Sequence, residues 1–455
     1  MDNSERVKMR VQSSKERIHN FNEVELGFND EEALKEANRC LQCKIPRCMN
    51  GCPVSIKIPE FVKYIREGDL KKAYEVIYDS SSLSAICGRV CPQERQCESM
   101  CIRGLKGEAI AIGALERYVA DQAIKNNFSS TVLAPPTGKK VAIVGSGPSG
   151  LTCAGDLAKQ GYSVTIYEVL HKAGGVLTYG IPEFRLPKSI VEKEVESLRR
   201  LGVEILTDVP VGNAITLTQL QEEYDAVFVG SGAGLPKFMG IPGEDANGVF
   251  SANEILTRIN LMGAYKDTSK TPIKKAKKAY VIGGGNVAMD AVRSLKRLGV
   301  EAHLMYRRSE EELPARRVEV EHAKEEGIIF DLLTNPTKIL TNENNDVIGM
   351  EVVNMVLGEA GEDGRRSVTE DESSKHTVEC DMVVMALGTS PNHEALKESD
   401  IELTDRGLIS VESTKTSLDN VFAGGDAVTG AATVILAMGA GKKAAQAVKK
   451  QLLEK

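Results

Sequence analysis

Eight of the ten cysteines lie between Cys40 and Cys101, in two tight sets. The first set is Cys40, Cys43, Cys48 and Cys52, followed by Pro53. The second is Cys87, Cys91 (followed by Pro92), Cys97 and Cys101. Thiolates this closely spaced hold a soft metal or an iron–sulfur cluster. Zinc bound by four cysteines fits the same spacings. In reducing surroundings such a run has little use as disulfides. Cys153 and Cys380 stand alone, form no close pair, and are read as core packing.

Two glycine turns bring a second kind of chemistry. Val141 to Val144 is a short apolar run that meets Gly145-Ser146-Gly147-Pro148-Ser149-Gly150. In such a turn Gly145 permits the sharp bend, Gly147 the approach of a pyrophosphate, and Gly150 close packing of helix on strand. The helix N-terminus then presents amide donors to the phosphates. Glu168 closes the next strand, where a carboxylate accepts from ribose hydroxyls. The pattern recurs at Ala279 to Ile282, followed by Gly283-Gly284-Gly285-Asn286-Val287-Ala288. Here the next strand ends in Tyr306-Arg307-Arg308, without an acid. Guanidinium groups pair with a 2′-phosphate that a carboxylate would repel, so this turn favours NADP over NAD. The other reading of the two arginines is plain surface charge. The first turn, with its acid, is assigned FAD.

Three kinds of element must hold these groups in place. Helical apolar spacing over Glu31 to Leu41 and Ile58 to Tyr78 carries the cysteines. Ser129 to Gly138, with Pro135-Pro136, reads as a linker. Two strand–turn–helix–strand units then predict two dinucleotide-binding domains. Asp225 to Gly230 and Asp381 to Gly388 read as strands at the crossings between them. Glu359 to Lys375 reads as a solvent-exposed hairpin loop. Near the end, Val421-Phe422-Ala423 runs into Gly424-Gly425-Asp426, and a small-residue helix follows from Thr433 to Ala447.

The formal charge is −7, from 57 basic and 64 acidic residues, which argues against a nucleic-acid partner. The one dense basic run, Lys274, Lys275, Lys277 and Lys278, reads as a solvated approach to a strand. No apolar stretch is long enough to span a membrane. The stretch from Asp2 to Arg17 is charged and shows no apolar leader core, so the expected location is the cytoplasm.

The tail resembles the C-terminal FAD element of two-dinucleotide flavoprotein reductases. By that resemblance Asp426 contacts the ribityl–phosphate part, and Thr433 and Val434 face the flavin. Ala386-Leu387-Gly388 resembles the crossing motif of the same family. Further motifs extend the likeness across nearly the whole chain. They are Cys40-Leu41-Gln42-Cys43, Gly51-Cys52-Pro53, Ile86 to Pro92, Ile112 to Arg117, Gly174 to Pro182 and Arg307-Arg308. They resemble the family of the NADPH glutamate synthase small subunit. The large subunit of the electron-bifurcating NADH-dependent ferredoxin:NADP oxidoreductase and the N-terminal half of dihydropyrimidine dehydrogenase belong to the same group. General similarity of the N-terminal segment favours the ferredoxin:NADP enzyme.

The resemblance implies an α/β fold with two Rossmann-like domains and an N-terminal helical iron–sulfur domain. The expected boundaries are 1–130 for iron–sulfur, 138–235 with 389–455 for FAD, and 236–388 for an inserted NADP(H) domain. Gly175 joins the FAD contacts. The family pattern implies two [4Fe–4S] clusters with crossed ligation. One set is Cys40, Cys43, Cys48 and Cys101. The other is Cys52, Cys91, Cys97 and Glu116, leaving Cys87 over. Read from sequence alone, an exposed helix carboxylate is the better reading of Glu116. The implied activity is electron transfer between NADP(H), FAD and clusters, to or from a second subunit or ferredoxin. The cofactors carry the chemistry, so no acid–base residue is assigned. The regions that glutamate formation would need, an amidotransferase and an FMN barrel, are not in these residues. A standalone small-molecule reductase and a zinc-stapled nucleotide-sensing protein are the alternatives.

Overall fold

The computed structural model describes residues 5–128, 133–361 and 364–454. The start of the charged N-terminal stretch, the first four linker residues and two residues of the 359–375 hairpin lie outside them. Five short helices carry most of the cysteine-rich part: Asp30–Asn38, Ile58–Arg66, Leu70–Ser80, Ser84–Val90 and Ile112–Lys125. Asn29 and Glu32 close the first by reciprocal capping, each side chain accepting from the other's backbone N–H. The periodic run expected over 58–78 is two helices, broken at Gly68, where φ is +75°. Apolar spacing continues through the break because both helices bury their faces in one core, which the period alone does not reveal.

The helices Ser84–Val90 and Ile112–Lys125 cross at Gly88. A Cβ there would sit 2.6 Å from the backbone nitrogen of Arg117. Only a glycine permits this approach. It brings the helix of Cys87 and Cys91 against the helix of Glu116.

The first glycine turn opens a five-stranded parallel sheet. Its order is Val421–Ala423, Ala226–Val229, Lys140–Val144, Ser163–Tyr167, Glu204–Leu206. The second opens another, ordered Ile329–Leu332, Glu301–Tyr306, Lys278–Ile282, Met382–Met385, Val249–Ser251. Strands in both sheets are nearly all apolar, as burial on both faces demands. Where the chain passes from one sheet to the other and returns, Leu235–Pro236 pairs antiparallel with Thr389–Ser390. The polar stretch 359–375 differs from the expectation. Most of it is strand, in a three-stranded antiparallel sheet of Thr334–Thr341, Val347–Ala360 and Arg366–Glu379. One face and an edge of this sheet meet water, so its sequence is polar and looks like a loop. Among the described residues, no helix is long and apolar enough to cross a membrane.

Buried charges join the parts. Glu326 is 2% exposed and accepts from Arg17, Arg293 and Arg297 at 2.7–3.0 Å. Arg185 reaches Asp290 at 2.7 Å and Glu319 at 2.9 Å. Arg293 also pairs with Glu319. Arg297 stacks on the Phe184 ring, its guanidinium carbon 3.8 Å from the centroid. Burial raises the Glu319 carboxyl, but Arg185 and Arg293 outweigh it and hold the group down near 2. Thus the N-terminal arm (Arg17), the first nucleotide unit (Phe184, Arg185) and the second (Arg293, Glu319, Glu326) share one ionic core. Arg316 adds the cysteine part, donating to the Arg89 carbonyl and to Gln93 Oε1, both at 3.1 Å.

Removing one partner of a buried pair strands the others. Glu326→Ala should therefore destabilise the protein by about 3–5 kcal/mol. Glu325→Ala removes a half-exposed partner of the same Arg17 and should cost no more than about 1 kcal/mol. Thermal or chemical denaturation of the two variants checks the contrast; equal losses would refute it.

Candidate functional site

The two cysteine sets do not fold as the two quartets that sequence order suggests. Cys101 leaves its neighbours and lines one cavity with Cys40, Cys43 and Cys48. The charges felt by these thiols come from the same set: Cys40 feels Cys101 and Cys43, and Cys48 feels Cys101, Cys40 and Cys43. Cys52 crosses the other way. Cys91 feels Cys87, Glu116, Cys97 and Cys52, and Cys97 feels Glu98, Glu116 and Cys52. Burial pushes the Cys48 and Cys52 thiols up to about 11. All ten cysteines are free. Among the described residues, no three Cys, His, Asp or Glu side chains close to the distances of a single-ion site.

Glu116 is 6% exposed, so it is not the surface carboxylate that its helix position allowed. Its Oε1 has no hydrogen-bond partner. Burial, then repulsion from Glu194, raises the carboxyl to about 8. An orphaned, buried carboxylate oxygen beside three thiols is what a ligand looks like without its metal. These donors, three sulfurs and one oxygen, fit an iron–sulfur cluster. Cys87 is buried in the same group: Cys91 and Cys52 feel its thiol too, and its Sγ also lies 3.4 Å from Met438 Sδ.

At the first glycine turn, Gly145 has φ +96°, and a Cβ on Gly150 would lie 2.0 Å from the Gly145 carbonyl. Gly147, by contrast, faces open space. Pro148 and Ser149 begin the helix Pro148–Lys159 there. Glu168 is buried and accepts from the Ser146 amide at 2.9 Å, the Ser146 hydroxyl and the Leu170 amide at 2.8 Å. Gly175 and Gly425 close on this turn: Cβ atoms there would come within 2.9 Å of Gly147 Cα and 2.8 Å of Ser149 Oγ. Asp426 follows; burial pushes its carboxyl up to about 6, against the pull of the Ala432 amide. Thr433 and Val434 stand at the start of the helix Val434–Glu454. The backbone cradle and the aligned helix ends fit a dinucleotide.

The second turn repeats this. Gly283 has φ +140°, Gly285 faces open space and Ala288 is fully buried against the strand. Asn286 accepts from the Arg316 amide at 2.9 Å, and Val287 is 41% exposed. Arg307 is exposed at the strand end, whereas Arg308 Nε donates to the Arg366 carbonyl at 2.8 Å. Sequence reasoning missed Arg366 altogether. It comes from the antiparallel sheet and pairs with Glu312 at 3.3 Å. Nothing in its sequence surroundings marks it.

A cleft of about 500 Å³ lies where the three parts meet. Gly51, Arg95 and Gln96 wall it from the cysteine part, Asn286 and Arg316 from the second unit, and Thr433 from the tail helix. Arg95, Gln96 and Arg316 carried no motif. Arg95 is fixed by two carbonyls of the second unit, Pro314 at 3.0 Å and Ala315 at 3.1 Å.

Comparison with known proteins follows this division. Residues 17–128 match the family described as dihydropyrimidine dehydrogenase domain II, 4Fe–4S cluster. Residues 139–446 match the pyridine nucleotide-disulphide oxidoreductases. The glutamate synthase [NADPH] small chain of Escherichia coli (strain K12) is 37% identical over 440 residues, 94% of this chain and 93% of that protein. The chain belongs to the glutamate synthase small-chain family. It is an NAD(P)H-dependent flavin oxidoreductase with an N-terminal 4Fe–4S domain. The NADP(+)-dependent formate dehydrogenase subunit beta of Moorella thermoacetica is 39% identical over 89% of this chain, which spans only 60% of that protein. Mycobacterium tuberculosis FprA in complex with NADPH shares the fold, with a TM-score of 0.59 over 70% of this chain and 85% of that one, at 19% identity.

Glu116→Ala should cost one cluster, or change its electron paramagnetic resonance signal, while NADPH still reduces the flavin. Dithionite-reduced spectra that match the parent protein would exclude Glu116 as a ligand.

Proposed function

We propose that this chain carries electrons between NADPH and a partner protein by way of FAD and two [4Fe–4S] clusters. The supporting observation is the shared cleft. A residue next to Cys52 (Gly51), the first residue of the second nucleotide helix (Asn286) and the start of the flavin-side helix (Thr433) all face one space. The iron–sulfur part is taken as 1–130, the FAD part as 138–235 with 389–455, and the NADP(H) part as 236–388. FAD would be held by Gly145, Gly147, Pro148, Ser149, Gly150, Glu168, Gly175, Gly425, Asp426, Thr433 and Val434. NADP(H) would be held by Gly283, Gly285, Asn286, Val287, Ala288, Arg307 and Arg308. Cys40, Cys43, Cys48 and Cys101 would hold one cluster, and Cys52, Cys91, Cys97 and Glu116 the other. When bound, these groups supply hydride exchange and one-electron relay. The residues orient them: both helix N-termini fix phosphates, and Arg95 and Arg316 keep the cleft closed by tying its walls together.

The partner's face is read from charge. The net charge is negative, yet no acid lies between Leu41 and Pro53 or between Ser99 and Gly107. These segments surround the Cys40 cavity and expose Ile45 (80%), Leu105 (75%) and Leu41 (55%), with Lys44, Arg47 and Lys106 around them. An apolar centre with a basic rim suits a redox protein with an acidic rim. The Moorella relative is named a subunit, which is consistent with a partner. A ferredoxin:NADP oxidoreductase, of the electron-bifurcating kind, is the preferred assembly. The second reading is the small subunit of a glutamate synthase, favoured by the match to the Escherichia coli protein over nearly all of both chains.

Protein purified without oxygen should contain FAD and about eight irons, as two four-iron clusters require. Stoichiometric zinc with negligible iron would overturn the proposal. Replacing both Arg307 and Arg308 with Ala should raise the NADPH KM about tenfold or more and leave the NADH KM nearly unchanged. Equal losses for both coenzymes would show that the arginines do not read a 2′-phosphate. With an acidic ferredoxin as probe, NADPH-driven reduction should slow several-fold between about 50 and about 300 mM salt, and again in Ile45→Asp. Flavin reduction by NADPH should not change in that variant. A ferredoxin rate indifferent to both would exclude this face.

A further inference from the structure

The segment Pro314-Ala315-Arg316 stands between the cysteine part and the second glycine turn, and it is bonded to both. Toward the turn, the Ala315 amide donates to the Gly284 carbonyl at 3.2 Å, and the Arg316 amide donates to Asn286 Oδ1 at 2.9 Å. Toward the cysteine part, the Pro314 and Ala315 carbonyls accept from Arg95 at 3.0 and 3.1 Å. The Arg316 guanidinium donates to the Arg89 carbonyl and to Gln93 Oε1, both at 3.1 Å, and its Nε lies 3.6 Å from Glu94 Oε2. Gln93 is fixed in turn. Its Nε2 donates to the Cys87 carbonyl at 3.2 Å, and a Cβ on Gly113 would lie 2.3 Å from that nitrogen. Ala315 and Arg316 are both buried.

Asn286 is the first residue of the helix Asn286–Arg297, and it lines the cleft. Its Oδ1 is engaged by the Arg316 amide, so the side chain has its Nδ2 donors left for a ligand. A phosphate or ribose oxygen accepts from such a donor. An untethered Asn would sample several rotamers, some with the wrong end of the amide outward, and would have to be ordered on binding.

We propose that Arg95 is a positioning residue for the coenzyme. It belongs to the cysteine part and acts through Pro314-Ala315-Arg316, which hold the Asn286 amide with its donors toward NADP(H). The coenzyme site is thus completed by the cysteine part. The proposal rests on the reading of the second turn as the NADP(H) site.

The test measures the NADP+ dissociation constant of the holoprotein by titration calorimetry, and NADPH-driven flavin reduction by stopped-flow absorbance. Arg95 is exposed, so its variants leave the core packing in place. Arg95→Ala should weaken NADP+ about two- to tenfold, the range of a lost hydrogen bond. The rate of flavin reduction at saturating NADPH should stay within about twofold of the parent rate, because the loss is one of binding. Arg95→Lys keeps a donor for one of the two carbonyls and should recover part of the affinity. Asn286→Ala should also weaken NADP+. The double variant should lose no more than Asn286→Ala alone, since both changes remove one effect. Additive losses would mean that Arg95 meets the coenzyme by itself, and would overturn the proposal. A saturated rate that falls as far as the affinity would overturn it too. The parent protein is titrated first: no NADP+ binding there would remove the reading of the second turn, and this proposal with it. Binding in the parent, with equal binding in Arg95→Ala, would sink this proposal alone.

Discussion

Glu326, buried among three arginines, ties the N-terminal arm to the second nucleotide unit at the junction with the first. Arg17, Arg293 and Arg297 come from the N-terminal arm and the second nucleotide unit, and Phe184 from the first unit lies under two of them. Such charges are costly to separate, because each would be left unpaired away from water. The second unit therefore cannot swing away without breaking the ionic core. Arg185 of the first unit adds a second tie to Asp290 and Glu319 of the same core.

The cysteine part is held to the same frame by polar ties. Arg95 grips two carbonyls of the second unit, and Arg316 of that unit reaches back to Arg89 and Gln93. These four residues neighbour the Cys87–Cys97 stretch in sequence or in space. Moving the nucleotide units would thus move the floor under the thiols. The tail helix adds an apolar tie. Gly439 packs tightly on Pro53, where a Cβ would lie 3.0 Å from the carbonyl oxygen, and Gly441 packs on Ser149, where a Cβ would lie 2.1 Å from the carbonyl oxygen and finds no room. One helix therefore touches the cysteine part and the first nucleotide turn at once.

The crossed arrangement of the cysteines follows from packing. Gly88 lets two helix backbones meet, and the second helix turns Glu116 inward toward Cys91 and Cys97. Cys87 is buried in the same group, with its Sγ also 3.4 Å from Met438 Sδ. Cys101 lies with the Cys40 set instead. Chain order alone favours two consecutive quartets, and the fold does not follow it.

Local chemistry alone determined the strand–turn–helix units. Gly145 and Gly283 take positive φ, and an apolar run of four or five residues ending at such a turn fits a buried strand. That Glu168 and the arginines at 307 and 308 follow a strand end was legible for the same reason, since position is fixed by counting along one strand. The helix break at Gly68 and the antiparallel sheet over 334–379 were not. Periodicity is blind to a turn between two helices sharing a core, and a strand facing water has the composition of a loop. What only the tertiary structure decided is which distant residues meet. The burial of Glu116, the approach of Arg366 to Glu312 and Arg308, and the Arg95 and Arg316 walls of the cleft depend on contacts across 50 to more than 200 residues of chain. Such contacts are set by how whole helices and sheets pack. No single segment carries that information.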